Sequence, residues 1–207
     1  MIIKHLTLIL ILLLLCNLVY ADKLNDSYQQ MLKSYAKLNT WQADINQTNY
    51  FAQTKAKLVS SGTFYYQKNT VSIRYQKPNE QALLIKDGMV TVYDKSSKTA
   101  VKSQLISAVQ SLNPVEIVKT YWQKSEKSFL QSKDGIDTIS LKPSKDNQVK
   151  ELIVSLDSKT GYVTKLVYKD NQDNSVSLAF SKMKVNKPIP ATAFKLVLPK
   201  DVKLIQR

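Results

Sequence analysis

Three sets of residues carry groups with reactive potential. Ser34-x-x-Lys37 and Lys159-Thr160-Gly161 supply a hydroxyl, a lysine to take its proton and a Lys-Thr-Gly triplet, the residue types of an acyl-serine site. Asp170 and Asp173 form a carboxylate pair suited in principle to acid–base work. Cys16 and His5 are the only residues of their types. Each set fails on its surroundings. Ser34 falls in mid-helix without a glycine-rich neighbourhood, and Lys159-Thr160-Gly161 lies between two alternating segments, where a turn explains it. Asp170 and Asp173 sit in a polar turn, where Asp and Asn bond their own backbone. No phosphate-cradling glycine loop occurs. The chemistry therefore points away from an enzyme, and no cofactor or metal is expected.

The elements around these residues begin with a leader. Lys4 and His5 open it, Leu6 to Leu15 is an apolar run broken by one Thr, and Val19-Tyr20-Ala21 fits a cleavage site before Asp22. The run is about half the length of a bilayer span. Leu15 stands before Cys16, where a lipidated cysteine requires a small residue, so cleavage after Ala21 is expected rather than acylation of Cys16. Residues 1–21 are read as a cleaved signal and 22–207 as one exported domain. Cleavage removes the single Cys and the single His, and with them disulfides, thiol nucleophiles and Cys/His zinc sites. The fold must then rest on its apolar core. The formal net charge of +14 falls by one with Lys4. It fits either a lysine-rich soluble surface or docking to an anionic partner.

Residues 22–39 read as an amphipathic helix, with Leu24, Tyr28, Met31, Tyr35 and Leu38 at spacings of three and four. The period then changes to two. Trp41, Ala43 and Ile45 share a face of "WQADINQ"; Phe64, Tyr66 and Lys68 share one of "GTFYYQK"; Val71, Ile73 and Tyr75 share one of "VSIRYQKP". "EQALLIKDGMVTVYD" is a hairpin about Lys-Asp-Gly. Two short helices follow, Ser103–Leu112 and Pro114–Gln123, meeting at Asn113-Pro114. Leu105, Ile106, Val109 and Leu112 make one apolar stripe, and Ile117, Val118, Tyr121 and Trp122 the other. From Phe129 the period is again two, with three strands in "KELIVSLDSKTGYVTKLVYKDNQDNSVSLAFSKMKV". A sheet of that length curls, and the helices must cover one of its faces. With eleven tyrosines and two tryptophans in the chain, that face has the material to line a greasy cavity.

These segments resemble the LolA-type carriers of outer-membrane lipoproteins. "WQADINQ", "GTFYYQK" with "RYQKP", "LIKDGMVTVYD" and "VNKPIPATAFKLVLPKDVKLI" match the family's segments in order, and Asn186, Pro188, Phe194 and Pro199 fall in place in the last. The resemblance runs from Leu24 to Ile205. It implies an α+β fold, an incomplete and strongly curved antiparallel β-barrel of about 11 strands under a lid of about three short helices. It also implies a periplasmic, monomeric chaperone. Such a protein receives acylated lipoproteins from an inner-membrane ABC-type lipoprotein-releasing transporter and delivers them to an outer-membrane lipoprotein receptor.

In this reading Trp41, Ala43, Ile45, Phe64, Tyr66, Val71, Ile73 and Tyr75 line the acyl-chain cavity. Leu105, Ile106, Val109, Leu112, Ile117 and Trp122 form the lid, and when the cavity is empty the lid packs on Phe64, Tyr66, Val71 and Ile73. Lys68 takes the position of the family's lid-latching arginine; a lysine is a point donor rather than a fork. The proline that follows in the family is missing. Alternatives of the same fold are a lipid-anchored outer-membrane receptor, a carrier of another amphiphilic lipid, and the envelope-stress regulators, which carry a further C-terminal domain.

Overall fold

The structure is a computed structural model that describes residues 22–104 and 114–206. Helix α1 spans 22–35. Six strands follow: β1 (Thr40–Phe51), β2 (Ala56–Gln67), β3 (Thr70–Lys77), β4 (Gln81–Lys86), β5 (Met89–Asp94) and β6 (Thr99–Gln104). Helix α2 (Pro114–Lys124) leads into β7 (Ser125–Lys133), β8 (Ile136–Pro143), β9 (Glu151–Asp157), β10 (Val163–Lys169) and β11 (Ser175–Val185). A 3-10 turn (Ala191–Phe194) and a short β12 (Lys203–Gln206) end the chain. All twelve strands form one sheet, in the order β12-β6-β5-β4-β3-β2-β1-β11-β10-β9-β8-β7. Every pair is antiparallel except β12 with β6.

Local chemistry explains the tight connections. Lys68-Asn69, Asp87-Gly88 and Asp134-Gly135 all take positive φ at both positions. This is the primed turn whose twist matches that of the flanking strands. Asp157 closes the β9–β10 turn by accepting the amides of Lys159 and Thr160 on Oδ1. Asp170 closes the β10–β11 turn in the same way, from Gln172 and Asn174. Both former candidates for acid–base or nucleophile work, Lys159-Thr160-Gly161 and Asp170 with Asp173, are thus turn residues.

The register corrects three expectations. Lys68 is not on a strand face with Phe64 and Tyr66; it opens the β2–β3 turn at φ 46° and is exposed. Lys68 and Asn69 form a two-residue turn between Gln67 and Thr70. Ser103 and Gln104 belong to β6, paired with Val90 and Met89, and not to a helix. The strand count is twelve rather than eleven, and two helices are described where about three were expected. Two strands lack a clear local signal: β6, short and followed at once by an apolar run, and β12, whose parallel partner lies about a hundred residues away.

The segment after β11 turns back across the outer face. Asn186, at φ 53°, starts it. Its amide donates to the carbonyl of Thr40, its Oδ1 accepts from the Asn39 amide at 2.8 Å, and its Nδ2 donates to the carbonyl of Lys37 at 2.9 Å. One side chain so joins the end of β11 to the α1–β1 junction. Farther on, Phe194 meets Tyr65 edge to face, and the Arg74 guanidinium donates to the carbonyls of Ala193 and Lys195.

Candidate functional site

Alternation places Trp41, Ala43 and Ile45 of β1 on the inner face of the sheet. The register sets Tyr66 opposite Trp41 and Phe64 opposite Ala43. Val71 and Ile73 then pair with Tyr66 and Phe64 from the other side. Tyr75, two residues past Ile73, continues the row. All eight candidate cavity residues thus share one face. Seven are buried. Tyr75 is half-buried; its hydroxyl donates to Gln47 Oε1 at 2.5 Å, and burial pushes its pKa up to about 12.

The second half of the sheet adds more to this face than the sequence reading assigned. Phe180 of β11 packs with Trp41 and Phe64, the three ring centroids 4.9 to 5.3 Å apart. Leu166 and Tyr168 of β10 lie beside Leu178 and Val176 of β11, and Leu152 and Val154 of β9 lie beside Tyr168 and Leu166. Ile139 and Leu141 of β8 extend the row. The signal was present in "ELIVSLD" and "VTKLVYK", whose alternation identified strands but not which face turned inward.

Among the described residues, two helices close this face. α1 inserts Met31, fully buried, with Leu24, Tyr28, Leu32, Tyr35 and Leu38 around it. It is also bolted by polar bonds. The Ser27 hydroxyl donates to Asp137 Oδ2 at 2.8 Å, and Lys23 Nζ lies 3.2 Å from the same oxygen. Ser132 donates to Asp137 Oδ1 at 2.7 Å. Burial would raise the Asp137 carboxyl, but the hydrogen bonds from Ser132, Ser27 and Lys23 outweigh it and hold the group below its ordinary value. Along the same helix Gln30 donates to the carbonyl of Lys159 at 3.0 Å, and Ser34 to that of Thr160 at 2.5 Å. The Tyr35 hydroxyl accepts the Val163 amide at 3.1 Å. Ser34, the former nucleophile candidate, is therefore a fastener. Gly161 sits so near that a Cβ there would come 2.7 Å from the Gln30 carbonyl.

α2 lies over β7, β8 and β10, with Val115, Ile117, Val118 and Tyr121 turned inward. Ile117 and Trp122 were expected above Phe64, Tyr66, Val71 and Ile73. The helix instead covers the opposite half of the sheet, because β7 starts at Ser125 directly after Lys124 and this tight junction holds α2 over its own strand. Trp122 stacks on Tyr28 of α1, with centroids 3.8 Å apart and planes within 2°. The C-terminal end of α2 is anchored by polar bonds. Lys124 pairs with Asp146 at 2.8 Å, and the Tyr121 hydroxyl donates to Asp146 Oδ2 at 3.2 Å. Burial opposes ionisation of Asp146, yet the Lys124 bond and the amides of Val149 and Gln148 bring it down to about 2. Leu105, Ile106, Val109 and Leu112 lie outside the described residues, and so does any partner they would offer to Lys68 as a latch.

A separate groove of about 400 Å³ runs on the outer face, between β3–β5 and the returning segment, lined by Arg74, Tyr93, Lys95 and Val197 among others. Arg74 already binds two carbonyls there, and Lys95 pairs with Glu80. Among the described residues no cluster of three or more His, Cys, Asp or Glu could hold a metal ion, and no helix is long and apolar enough to cross a membrane.

A twelve-stranded open sheet whose apolar inner face lies under helices offers a hydrophobic surface suited to apolar material. The chain belongs to the family of the outer membrane lipoprotein carrier protein LolA, whose model matches residues 36–197. It is 26% identical over 196 residues to the outer-membrane lipoprotein carrier protein of Pseudoalteromonas translucida (strain TAC 125), covering 94% of each chain. Among solved structures, an uncharacterised conserved protein from Thermus thermophilus superposes with a TM-score of 0.56 at 13% identity, over 86% of this chain and 98% of the other. MucB superposes with a TM-score of 0.57 at 11% identity, over 89% of this chain and 66% of that one. At such identities the last two likenesses concern the fold.

Proposed function

We propose that the protein is a periplasmic carrier that covers the acyl chains of lipoproteins between the inner face of its sheet and its helices. It takes them from an inner-membrane releasing transporter and passes them to an outer-membrane receptor, working as a monomer without cofactor or catalysis. The observation that carries this reading is the continuous apolar inner face, shared by Trp41, Phe64, Ile73, Phe180 and Leu166, on a chain of the lipoprotein-carrier family.

The energetics favour a helix that can be exchanged. Each buried methylene gains about 0.8 kcal/mol, so a triacyl anchor of ~45 methylenes carries on the order of 35 kcal/mol gross. A rigid open pocket would hold such a guest too tightly to release it. If α2 surrenders its own contacts as the acyl chains arrive, the net affinity is a difference between two burials and stays moderate. α1, held by polar bonds that an acyl chain cannot replace, remains in place as a fixed wall.

Trp41 and Trp122 are the only tryptophans of the chain, so a Trp41→Phe variant reports on α2 alone. A synthetic triacylated lipopeptide is expected to shift the Trp122 emission saturably as its stack on Tyr28 opens, and the unacylated peptide is expected to leave it unchanged. A folded protein that binds neither peptide contradicts the carrier reading.

A further inference from the structure

We propose that the tip of the β1–β2 hairpin, beyond the buried part of the inner face, is a docking element for an anionic lipid surface, independent of the carrier reading. Seven large apolar residues are exposed among those described, and four of them, Phe51, Leu58, Val59 and Val176, cluster at this one end of the sheet. The cluster is structured by register. Leu58 and Val176 flank Asn49 from either side, and Phe51 follows farther out on the same strand. Residues 53–59 are exposed without a break. β3 ends at Lys77 opposite Ser61, so residues 56–60 of β2 extend beyond it with a strand on one side only. The tip therefore projects, and it is held stiffly: β11 pairs with β1 as far as Tyr50, and the Asn174 side chain accepts the Ala52 amide at 2.9 Å.

The chemistry selects the occupant. Leu58 points to the inner side and Val59 to the outer side of the same strand, exposed by 48% and 56%. A folded partner covers one face of a hairpin, whereas a lipid interface surrounds a tip on all sides. The charge agrees. No Asp or Glu occurs from Ile45 to Asn79, a stretch that carries Lys55, Lys57, Lys68, Arg74 and Lys77. Lys55 and Lys57 lie between Phe51 and Leu58, and Lys77 stands exposed opposite Ser61. On the neighbouring β10–β11 turn, Asp173 is neutralised by Lys150 at 2.6 Å, which leaves Asp170 as the single acid there without an ion pair. Exposed apolar side chains flanked by lysines match the headgroup boundary of an anionic bilayer, where the apolar groups enter and the ammonium groups stay at the phosphates.

The test is co-sedimentation of the processed, exported protein with vesicles of phosphatidylethanolamine and phosphatidylglycerol, against vesicles of phosphatidylcholine alone. Binding to the anionic vesicles is expected, weakened by salt. A combined Phe51→Ser, Leu58→Ser and Val59→Ser variant is expected to lose at least about tenfold, and Lys55→Glu with Lys57→Glu more than about fivefold. Both variants change exposed side chains, so their unfolding midpoints and lipopeptide binding should match the parent. Equal binding to both vesicle types, binding to neither, or parent-like vesicle binding by the apolar variant overturns the proposal. Loss of lipopeptide binding with vesicle binding intact would strike the carrier reading alone.

Discussion

α1 and α2 cover the same inner face, yet they are attached by different physics. α1 spreads its polar anchors along its whole length: Lys23 and Ser27 on Asp137, Gln30 and Ser34 on the β9–β10 carbonyls, Tyr35 on the Val163 amide. α2 turns Val115, Ile117 and Val118 inward, and at its C-terminal end it bonds Asp146 through Tyr121 and Lys124. Hydrogen bonds demand a partner of matching polarity and direction, and a guest made of methylenes cannot supply one. Apolar contacts are non-directional, so an acyl chain can take the place of a valine or an isoleucine at little cost. In the carrier we propose, α1 would serve as the wall and α2 as the lid.

Removing the chief bolt should have the largest effect. Asp137→Ala leaves the hydroxyls of Ser27 and Ser132 and the ammonium of Lys23 without their shared acceptor, and is expected to destabilise the fold by about 3 kcal/mol in denaturant unfolding. Loss of less than about 1 kcal/mol would mean that α1 is no better fixed than α2. Gly161→Ala forces a methyl group against the Gln30 and Met31 backbone, at a position whose φ of 70° already disfavours a side chain. The expected cost is about 2 kcal/mol, with faster amide exchange in α1 and little change in α2. Trp122→Ala removes the stack on Tyr28 at the point where the helices touch. It should cost only about 1 kcal/mol and should increase binding of a solvatochromic apolar dye to the empty protein, since α2 then lifts more readily.

Acid offers a finer separation. Asp137 and Asp146 both titrate below their unfolded values, so each stabilises the fold above the ordinary carboxylate range and loses that contribution as pH falls through its folded value. For Asp146 the loss runs from the ordinary range down to about 2. Unfolding midpoints measured across that range for the parent and for Asp146→Asn should converge as pH drops. Parallel curves would show that the carboxylate does not hold the end of α2.

Much of the sheet was legible because its information is local. Trp41, Ala43 and Ile45 alternate in sequence, Asp87-Gly88 specifies its own turn, and Pro114 marks the start of a helix. What escaped depends on residues far apart. Ser27 and Asp137 are 110 positions apart, and no pattern around either announces the bond. The amphipathic face of α1 was plain, but its role as the fixed cover was not, since Gln30 and Ser34 reveal their partners only once the β9–β10 turn lies beneath them. Lys68 illustrates a different failure: alternation carried it onto the strand face, and only the backbone reveals that Lys68-Asn69 forms a turn without glycine. Asn186 was singled out through the family resemblance, and its bonds to residues 37, 39 and 40 supply a physical reason for it.

The central claim is that a guest displaces α2 and leaves α1 in place. Amide hydrogen exchange of both helices, with and without a synthetic triacylated lipopeptide, tests it most directly. Faster exchange in α2 upon loading, with α1 unchanged, is the predicted result. Unchanged α2 in a protein saturated with the lipopeptide, or equal loosening of both helices, would contradict it.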